Sequence, residues 1–334
     1  MQFPEKNPRC TIRIAHSPDA DDRFMFWPLR AGLVSDPEDQ FAFRWSEADT
    51  QGLNRLAASE NPAVRPEVCA ISVFHYASVH LEYQPLRMGC SVGDDYGPVI
   101  VARRGTFPGL SGALLEQVGR DTPDALRVVE HGRIPGQAPT EIRETLLLTP
   151  GAQTTAHNVT RLLGYGLYAW EAVPIVPIEG VFERLEALES EGRPALALLI
   201  HEGRLLFERY GCERVLDIGK AWHARTNGSL PLGMNVVRRD LPLPVRERLS
   251  ALFIASCRYA LAHREEFLDE AARPGSPYHT PLSRTELSAY LGLYANETTA
   301  SVLPSDARAF ERLFAEAHAA GFLESDTAVP CDWI

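Results

Sequence analysis

The absences in this sequence narrow its function first. Its six cysteines, Cys10, Cys69, Cys90, Cys212, Cys257 and Cys331, never fall at C-x-x-C spacing. Neither a zinc site nor a dithiol redox motif is therefore expected. The ten histidines contain no H-E-x-x-H, because no second histidine stands four residues after His201-Glu202. No metal and no cofactor is predicted. Positive charge is short: 33 Lys and Arg face 44 Asp and Glu, a net charge of −11. Such a surface repels a phosphate backbone, so nucleic acid is not an expected partner. No run is long and apolar enough to span a bilayer, and no membrane partner is expected. The first ten residues, MQFPEKNPRC, lack the apolar core and small-residue cleavage site of an export signal. A cytoplasmic setting is expected. There is no internal repeat and no low-complexity tract, and nothing in the sequence fixes the oligomeric state.

What is present is the composition of a globular protein, 334 residues with 45% hydrophobic and 23% charged. That length holds two ordinary domains. Strand and helix signals alternate. Strands are predicted at 11–15, 41–45, 68–71, 99–102, 146–148, 173–176 and 195–200, and helices at 24–31, 51–59, 76–83 and 155–163. This order predicts an α/β fold. After Asp240 the pattern turns helical, at 244–263, 284–295 and 304–320, with Gly321 as a stop. Residues 105–144 read as an irregular polar insertion, with one short helix near Leu114–Gln117. Two apolar crossings, Gly97–Arg103 and Leu230–Arg238, bracket the middle of the chain. They predict a discontinuous large lobe, 1–102 with 236–334, into which a small lobe, 103–235, is inserted.

His201 is the leading catalytic candidate. It follows the apolar run Ala195–Ile200, and a residue just past a buried strand lies at its carboxyl end, where open α/β sheets bind ligands. Histidine titrates near neutrality and suits proton transfer there. The plainer alternative is a loop or capping histidine. Three strand-to-helix turns carry hydroxyls: Ser17 in His16-Ser17-Pro18-Asp19-Ala20-Asp21-Asp22, Ser72 after Cys69-Ala70-Ile71, and Thr154-Thr155 after Pro150-Gly151. Helix starts present free N–H groups that hold carboxylates or phosphates. Ordinary N-capping explains Ser17 and Ser72 as well. Thr154 and Thr155 lack the Glu or Gln of a reciprocal capping box three residues on, so their hydroxyls read as freer for a ligand. Asp19, Asp21 and Asp22 offset a helix dipole or bond substrate hydroxyls. Asn54, on the first turns of a helix, faces either the cleft or solvent. Arg238-Arg239 reads as a solvated pair rather than an anion site. Cys69 and Cys257 read as core thiols.

Taken together, these segments resemble the 1,4-dihydroxy-6-naphthoate synthase family of menaquinone biosynthesis by the futalosine route. Ser17-Pro18 to Phe26 is similar to its S-P-x-x-x-D-x-F-x-F opening, and Asp49–Arg55 to its D-x-x-x-L-N-R segment. Gly97–Arg103 resembles G-P-x-x-V-A-R, Pro150–Ala156 P-G-x-x-T-T-A, and Ile200–Arg204 its I-H-E segment. Val215–Trp222 resembles V-D-L-G-x-W-W with Ala221 in place of one tryptophan. Leu230–Leu241 resembles L-P-L-G-x-x-x-x-R-R-D-L, and Tyr294–Thr298 resembles Y-V-N-x-x-T. The resemblance spans most of residues 11–322.

It implies a type II periplasmic-binding-protein-like fold, with two α/β lobes and a cleft, and no cofactor. It implies a small aromatic carboxylate substrate, cyclic dehypoxanthinylfutalosine, cleaved to 1,4-dihydroxy-6-naphthoate and a dihydroxyacetone fragment. His201 is then the base. Ser72, Thr154 and Thr155 hold the substrate, with Ser17 beside them, and Asn54 bonds from the facing lobe. The sequence departs from the family pattern at Asp19 and Asp21, at the long 103–146 segment, and at Phe74-His75, which are expected to reshape the pocket. The competing readings are chorismate dehydratase, with the same architecture, and a cytoplasmic solute-binding or sensor protein of the same fold.

Overall fold

The computed structural model of this chain describes residues 10–107, 145–164, 169–323 and 329–334. Most of the predicted insertion, and the helix expected at 114–117, lie outside the described residues.

Eleven described strands form two sheets. The first has the order β2-β1-β3-β11-β4, with β5 also paired to β11. It takes β1 (Cys10–His16), β2 (Phe41–Glu47), β3 (Val68–Ser72), β4 (Tyr83–Pro85) and β5 (Ser91–Gly93) from the front of the chain, and β11 (Leu230–Arg238) from after the second sheet. β1 runs parallel to β2 and β3, while β11 is antiparallel to β3, β4 and β5. The second sheet has the order β10-β6-β9-β7-β8. Its strands are β6 (Val99–Arg103), β7 (Leu146–Thr149), β8 (Trp170–Ala172), β9 (Ala195–Leu199) and β10 (Cys212–Asp217). β7 is parallel to β8 and β9, and β6 is antiparallel to β9 and β10. All five residues of β9 are buried, as a strand covered on both faces must be.

The chain passes between sheets at 94–98 and again after Asp217, so β6 lies wholly in the second sheet and β11 wholly in the first. These passages come a few residues ahead of positions 102 and 235. The two connections touch. The Ile218 N–H donates to the Pro98 carbonyl at 2.8 Å. A Cβ on Gly219 would stand 1.9 Å from the carbonyl carbon of Tyr96, so only glycine admits this contact. Arg204 lies 2.9 Å from the Asp217 carboxylate and also bonds the Gly97 carbonyl, which ties the connection to the loop after β9.

Helix α1 (Ala20–Arg30) starts four residues before the apolar periodicity that predicted it at Phe24. Asp19 is its N-cap residue, and Asp21 and Asp22 occupy its first turn, where the helix dipole favours negative charge. The helix is anchored by Phe24 edge-on to Phe267 at 5.1 Å and Phe26 edge-on to Phe253 at 5.6 Å. Such fully buried rings are worth about 3–5 kcal/mol against alanine, so the acidic first turn is rigidly held. Two further expectations are corrected. The helix predicted at 76–83 is α3 (Val73–Val79), and Tyr83 belongs to β4, drawn off by pairing with Arg238 on β11. The strand predicted at 173–176 is β8 at 170–172; Pro174 has no N–H to continue a ladder. The helix Glu179–Ser190 and strands β4, β5 and β10 were not expected. All six cysteines are free, with Cys69 and Cys257 in the core. Arg238 pairs with Glu67 and Asp240, and Arg239 with Asp332, so both stabilise structure. No described helix is long and apolar enough to cross a membrane.

Candidate active site

The carboxyl end of β9 leads straight to His201, whose backbone is left-handed, with φ of 50°. For a residue with a Cβ this costs roughly 1–2 kcal/mol, and strain of this kind gathers at functional sites. The distortion turns the imidazole towards α1 and α2 (Thr50–Ala57), the facing elements of the first sheet. Nδ1 is bonded to Asp19 Oδ2. Nε2 lies 2.8 Å from the Thr50 hydroxyl. The side chain is 24% exposed and that of Asp19 only 5%. Burial pushes the imidazole pKa down, but the Asp19 charge and hydrogen bond override it and hold it at about 10. For Asp19 burial pushes upward, and His201 outweighs it, leaving the carboxyl below its ordinary value.

Three more carboxyls crowd this pair. The Ser17 N–H donates to Asp22 Oδ2 at 2.7 Å. The Tyr290 hydroxyl donates to Asp21 Oδ1 at 2.8 Å. Ala20 N–H, at the start of α1, donates to Glu202 Oε1 at 3.0 Å. Burial, and then the charge on Asp19, raise Asp22 to about 8 and Glu202 to about 7, and raise Asp21 well above the carboxyl range. Asp19, Asp21 and His201 each bring one nitrogen or oxygen within 4.8 Å of the others. A cation needs similar spacing, but the His201 Nδ1 is already committed to Asp19. We read the group as a proton-sharing set.

These residues wall an inner cavity of about 100 Å³, lined also by Ser17, Ser72, Thr154, Thr155 and Tyr294. An outer cavity of about 370 Å³ shares Ser17, Asp19, Ile200 and His201 with it. The outer wall is apolar at Ile175, Val176 and Ile178. His201 thus stands on the partition between the two.

The predicted site residues fall into two groups. Ser17, Ser72, Thr154, Thr155 and His201 all line the inner cavity. Asn54 does not; it is fully buried. Its Nδ2 donates to Ser72 Oγ and to the Gln153 carbonyl, each at 3.1 Å, and its Oδ1 accepts from Ser72 N–H at 2.9 Å. Asn54 therefore positions Ser72. The threonine hydroxyls are less free than expected. Thr154 Oγ1 caps its helix, accepting from His157 N–H at 3.2 Å and donating to the Gly151 carbonyl at 2.8 Å. A one-sided cap needs no glutamate. Thr155 Oγ1 accepts from Phe74 N–H at 3.1 Å and donates to the Leu232 carbonyl at 2.7 Å. Phe74 and His75 do not line either cavity. His75 is buried, and desolvation lowers its pKa to about 4.

Thr50, Glu202, Tyr290 and Tyr294 were missed, and Asp19 and Asp21 were not joined to His201. The three acids in four residues, 19–22, were the available signal. The contacts that complete the site, Thr50 with His201 and Tyr290 with Asp21, span 151 and 269 positions, beyond the reach of local pattern.

The menaquinone-biosynthesis family model matches residues 12–122 and 131–319. A 1,4-dihydroxy-6-naphtoate synthase from Thermus thermophilus is 31% identical over 310 residues, covering 93% of this chain and 95% of that one. Among solved structures, a protein from Archaeoglobus fulgidus superposes with a TM-score of 0.71 at 28% identity, over 94% of this chain and 98% of the other. A Candida albicans protein described as having the generic periplasmic binding protein fold gives 0.55 at 8% identity, over 92% and 90%. The last likeness concerns the fold alone, two α/β sheets of the periplasmic-binding-protein type. By sequence and by fold, the chain belongs to the menaquinone-biosynthesis family of enzymes.

Proposed function

We propose that the protein is a carbon–carbon lyase that cleaves cyclic dehypoxanthinylfutalosine to 1,4-dihydroxy-6-naphthoate and dihydroxyacetone, acting in the cytoplasm. One observation carries the reading: the histidine of the I-H-E segment sits on the partition between two cavities with its Nδ1 held by a buried carboxylate.

In this reading His201 is the base. Asp19 fixes the tautomer and raises the basicity of Nε2, the nitrogen that faces Thr50. A strong base suits removal of a proton from a hydroxyl, the step that starts cleavage. The pair is an ion pair at neutral pH, so only the minority neutral imidazole reacts, and activity climbs towards alkaline pH. The aromatic carboxylate is held by the helix-end N–H groups beside Thr154 and Thr155 and by the Ser72 hydroxyl, where no Lys or Arg lines the inner cavity among the described residues. Ser17 adds a hydroxyl, and Asn54 acts through Ser72. The inner cavity is below the range of pockets that hold a bicyclic ligand, roughly 300–1,000 Å³. Substrate therefore enters an opened form. The two lobes, one around each sheet, would part at the Gly97–Gly219 crossing and close over it.

The test is a chromatographic assay of the purified protein with cyclic dehypoxanthinylfutalosine. Appearance of 1,4-dihydroxy-6-naphthoate is the expected result. Its absence, from folded protein with a known synthase active in parallel, rejects the reaction.

A further inference from the structure

The buried carboxyls pose a charge problem that His201 alone does not solve. Asp19, Asp21, Asp22 and Glu202 crowd one imidazole, and no Lys or Arg lines the inner cavity among the described residues. Unpaired buried charges are expensive, so such groups keep their protons or find a cation. His201 neutralises Asp19. Glu202 and Asp22 are each tied to a backbone N–H. Asp21 differs from both. Its hydrogen-bond partner is a hydroxyl, that of Tyr290. It lines the inner cavity together with Tyr290, and it lies within 4.8 Å of the His201–Asp19 pair. The groups facing it are Asp19 and Asp22 on its own helix, His201 and Glu202 on the loop after β9, and Tyr290 and Tyr294 on the helix Arg284–Tyr294. Burial and the two aspartates favour its neutral form; His201 and Tyr290 oppose it without prevailing.

We propose that Asp21 is the proton donor of this site, the acid that complements the base at His201, with Tyr290 as its positioning residue. This rests on the lyase reading above. His201 takes the proton of a substrate hydroxyl, and that O–H electron pair becomes the second bond of a new carbonyl. The adjacent carbon–carbon bond breaks, and its electron pair goes to the departing fragment. Asp21 delivers a proton to that fragment. His201 then holds one proton more and Asp21 one fewer, and transfer between them restores both. Nothing else is consumed. Two carboxyls sharing one buried site, one ionised beside the histidine and one neutral, divide the acid and base work as paired carboxylates do elsewhere.

The experiment measures kcat and KM for the wild type, Asp21→Asn, Asp21→Glu and Tyr290→Phe, with product affinity measured in parallel. Asp21→Asn is expected to lower kcat by about 100-fold or more, the usual share of a general acid, with KM and affinity for 1,4-dihydroxy-6-naphthoate changed less than about threefold. Asp21→Glu restores at least about a tenth of the rate. Tyr290→Phe moves the alkaline limb of the pH profile upward, because the lost hydrogen bond had favoured the ionised form. Wild-type turnover with an unimpaired Asp21→Asn overturns the role of Asp21 alone. Should Asp21→Asn fail to fold, an Asp21→Glu variant that folds without activity, or a Tyr290→Phe limb that stays in place, overturns it. Wild-type activity that is lost on chelation and restored by a divalent cation also overturns it, placing a cation where we place a proton. Failure of the wild type to turn over rejects the reaction and this proposal together.

Discussion

Two strand-to-helix turns face each other across the inner cavity, and they solve the same problem in opposite ways. The turn after β1 carries Asp19, Asp21 and Asp22, and its helix start is bonded by a carboxylate from the other sheet, Glu202. The turn after β7 carries Thr154 and Thr155, both neutral and both fully hydrogen-bonded. One turn gathers charge that only protons and His201 can balance. The other has no charge to balance and spends its hydroxyls on a cap and on a bond to the facing sheet. Chemistry is therefore expected from the first turn and ligand holding from the second. Substitutions at the two should fail differently.

The largest effect is expected at the group that both turns surround. His201→Ala should reduce turnover by about 10³-fold or more, as loss of a general base does, while product affinity remains close to wild type and the melting temperature falls at neutral pH, because the buried Asp19 loses its partner. A wild-type rate would remove the catalytic reading of the β1 turn. Next comes Asp19→Asn. With its partner charge gone, His201 falls from about 10 back towards its ordinary 6.5, since burial is then opposed only by the lesser influence of Asp21 and Glu202. For the wild type, kcat/KM should rise about tenfold per pH unit above neutrality until the acid at Asp21 ionises. In Asp19→Asn the rise should be over by about pH 7, with a plateau about 10²-fold lower. Stability reports the same pair independently. A histidine pKa raised on folding contributes stability that is full below pH 6.5 and lost as pH rises through about 10. The wild-type melting temperature should thus decline across that window, and that of Asp19→Asn should decline less. Equal declines would mean that the pair contributes nothing to stability.

The contrast between the turns was half legible in the sequence. The β1 turn announced its charge in four residues, and the apolar run Ala195–Ile200 placed His201 at a strand end. What joins them is long-range. Asp19 meets His201 only because β1 and β9, in different sheets, point their carboxyl ends at one cleft. The α1 start was missed because Ala20–Arg23 carries no apolar periodicity; the helix dipole and the Glu202 carboxylate on the Ala20 N–H fix it instead. At the β7 turn, the absence of a capping-box acid suggested idle hydroxyls. A cap needs only one side of that box, and Thr155 found partners on α3 and β11 that no local rule names. The helical C-terminal third was readable because its helices are long and amphipathic. Strands β4 and β5, three residues each, were too short to carry a period.

The β7 turn yields the smaller effects, and they sharpen the contrast most. Thr155→Val leaves the buried Phe74 N–H and Leu232 carbonyl without their partner, at about 1–3 kcal/mol of stability. It should weaken binding of 1,4-dihydroxy-6-naphthoate several-fold by calorimetry, with little change in the pH profile. Unchanged affinity, also in the Thr154→Val, Thr155→Val double variant, would count against a carboxylate site at this helix end. Thr154→Ala should do least. It removes one N-cap, worth about 1 kcal/mol, and the Gly151 carbonyl loses its hydroxyl donor but keeps the Thr154 N–H at 3.1 Å. Thr154→Ser should restore the loss, because the capping oxygen is all that the turn requires. If Thr154→Ala instead lowered kcat as steeply as Asp19→Asn, the two turns would share the chemistry. The division between a charged turn that reacts and a neutral turn that holds would then fail.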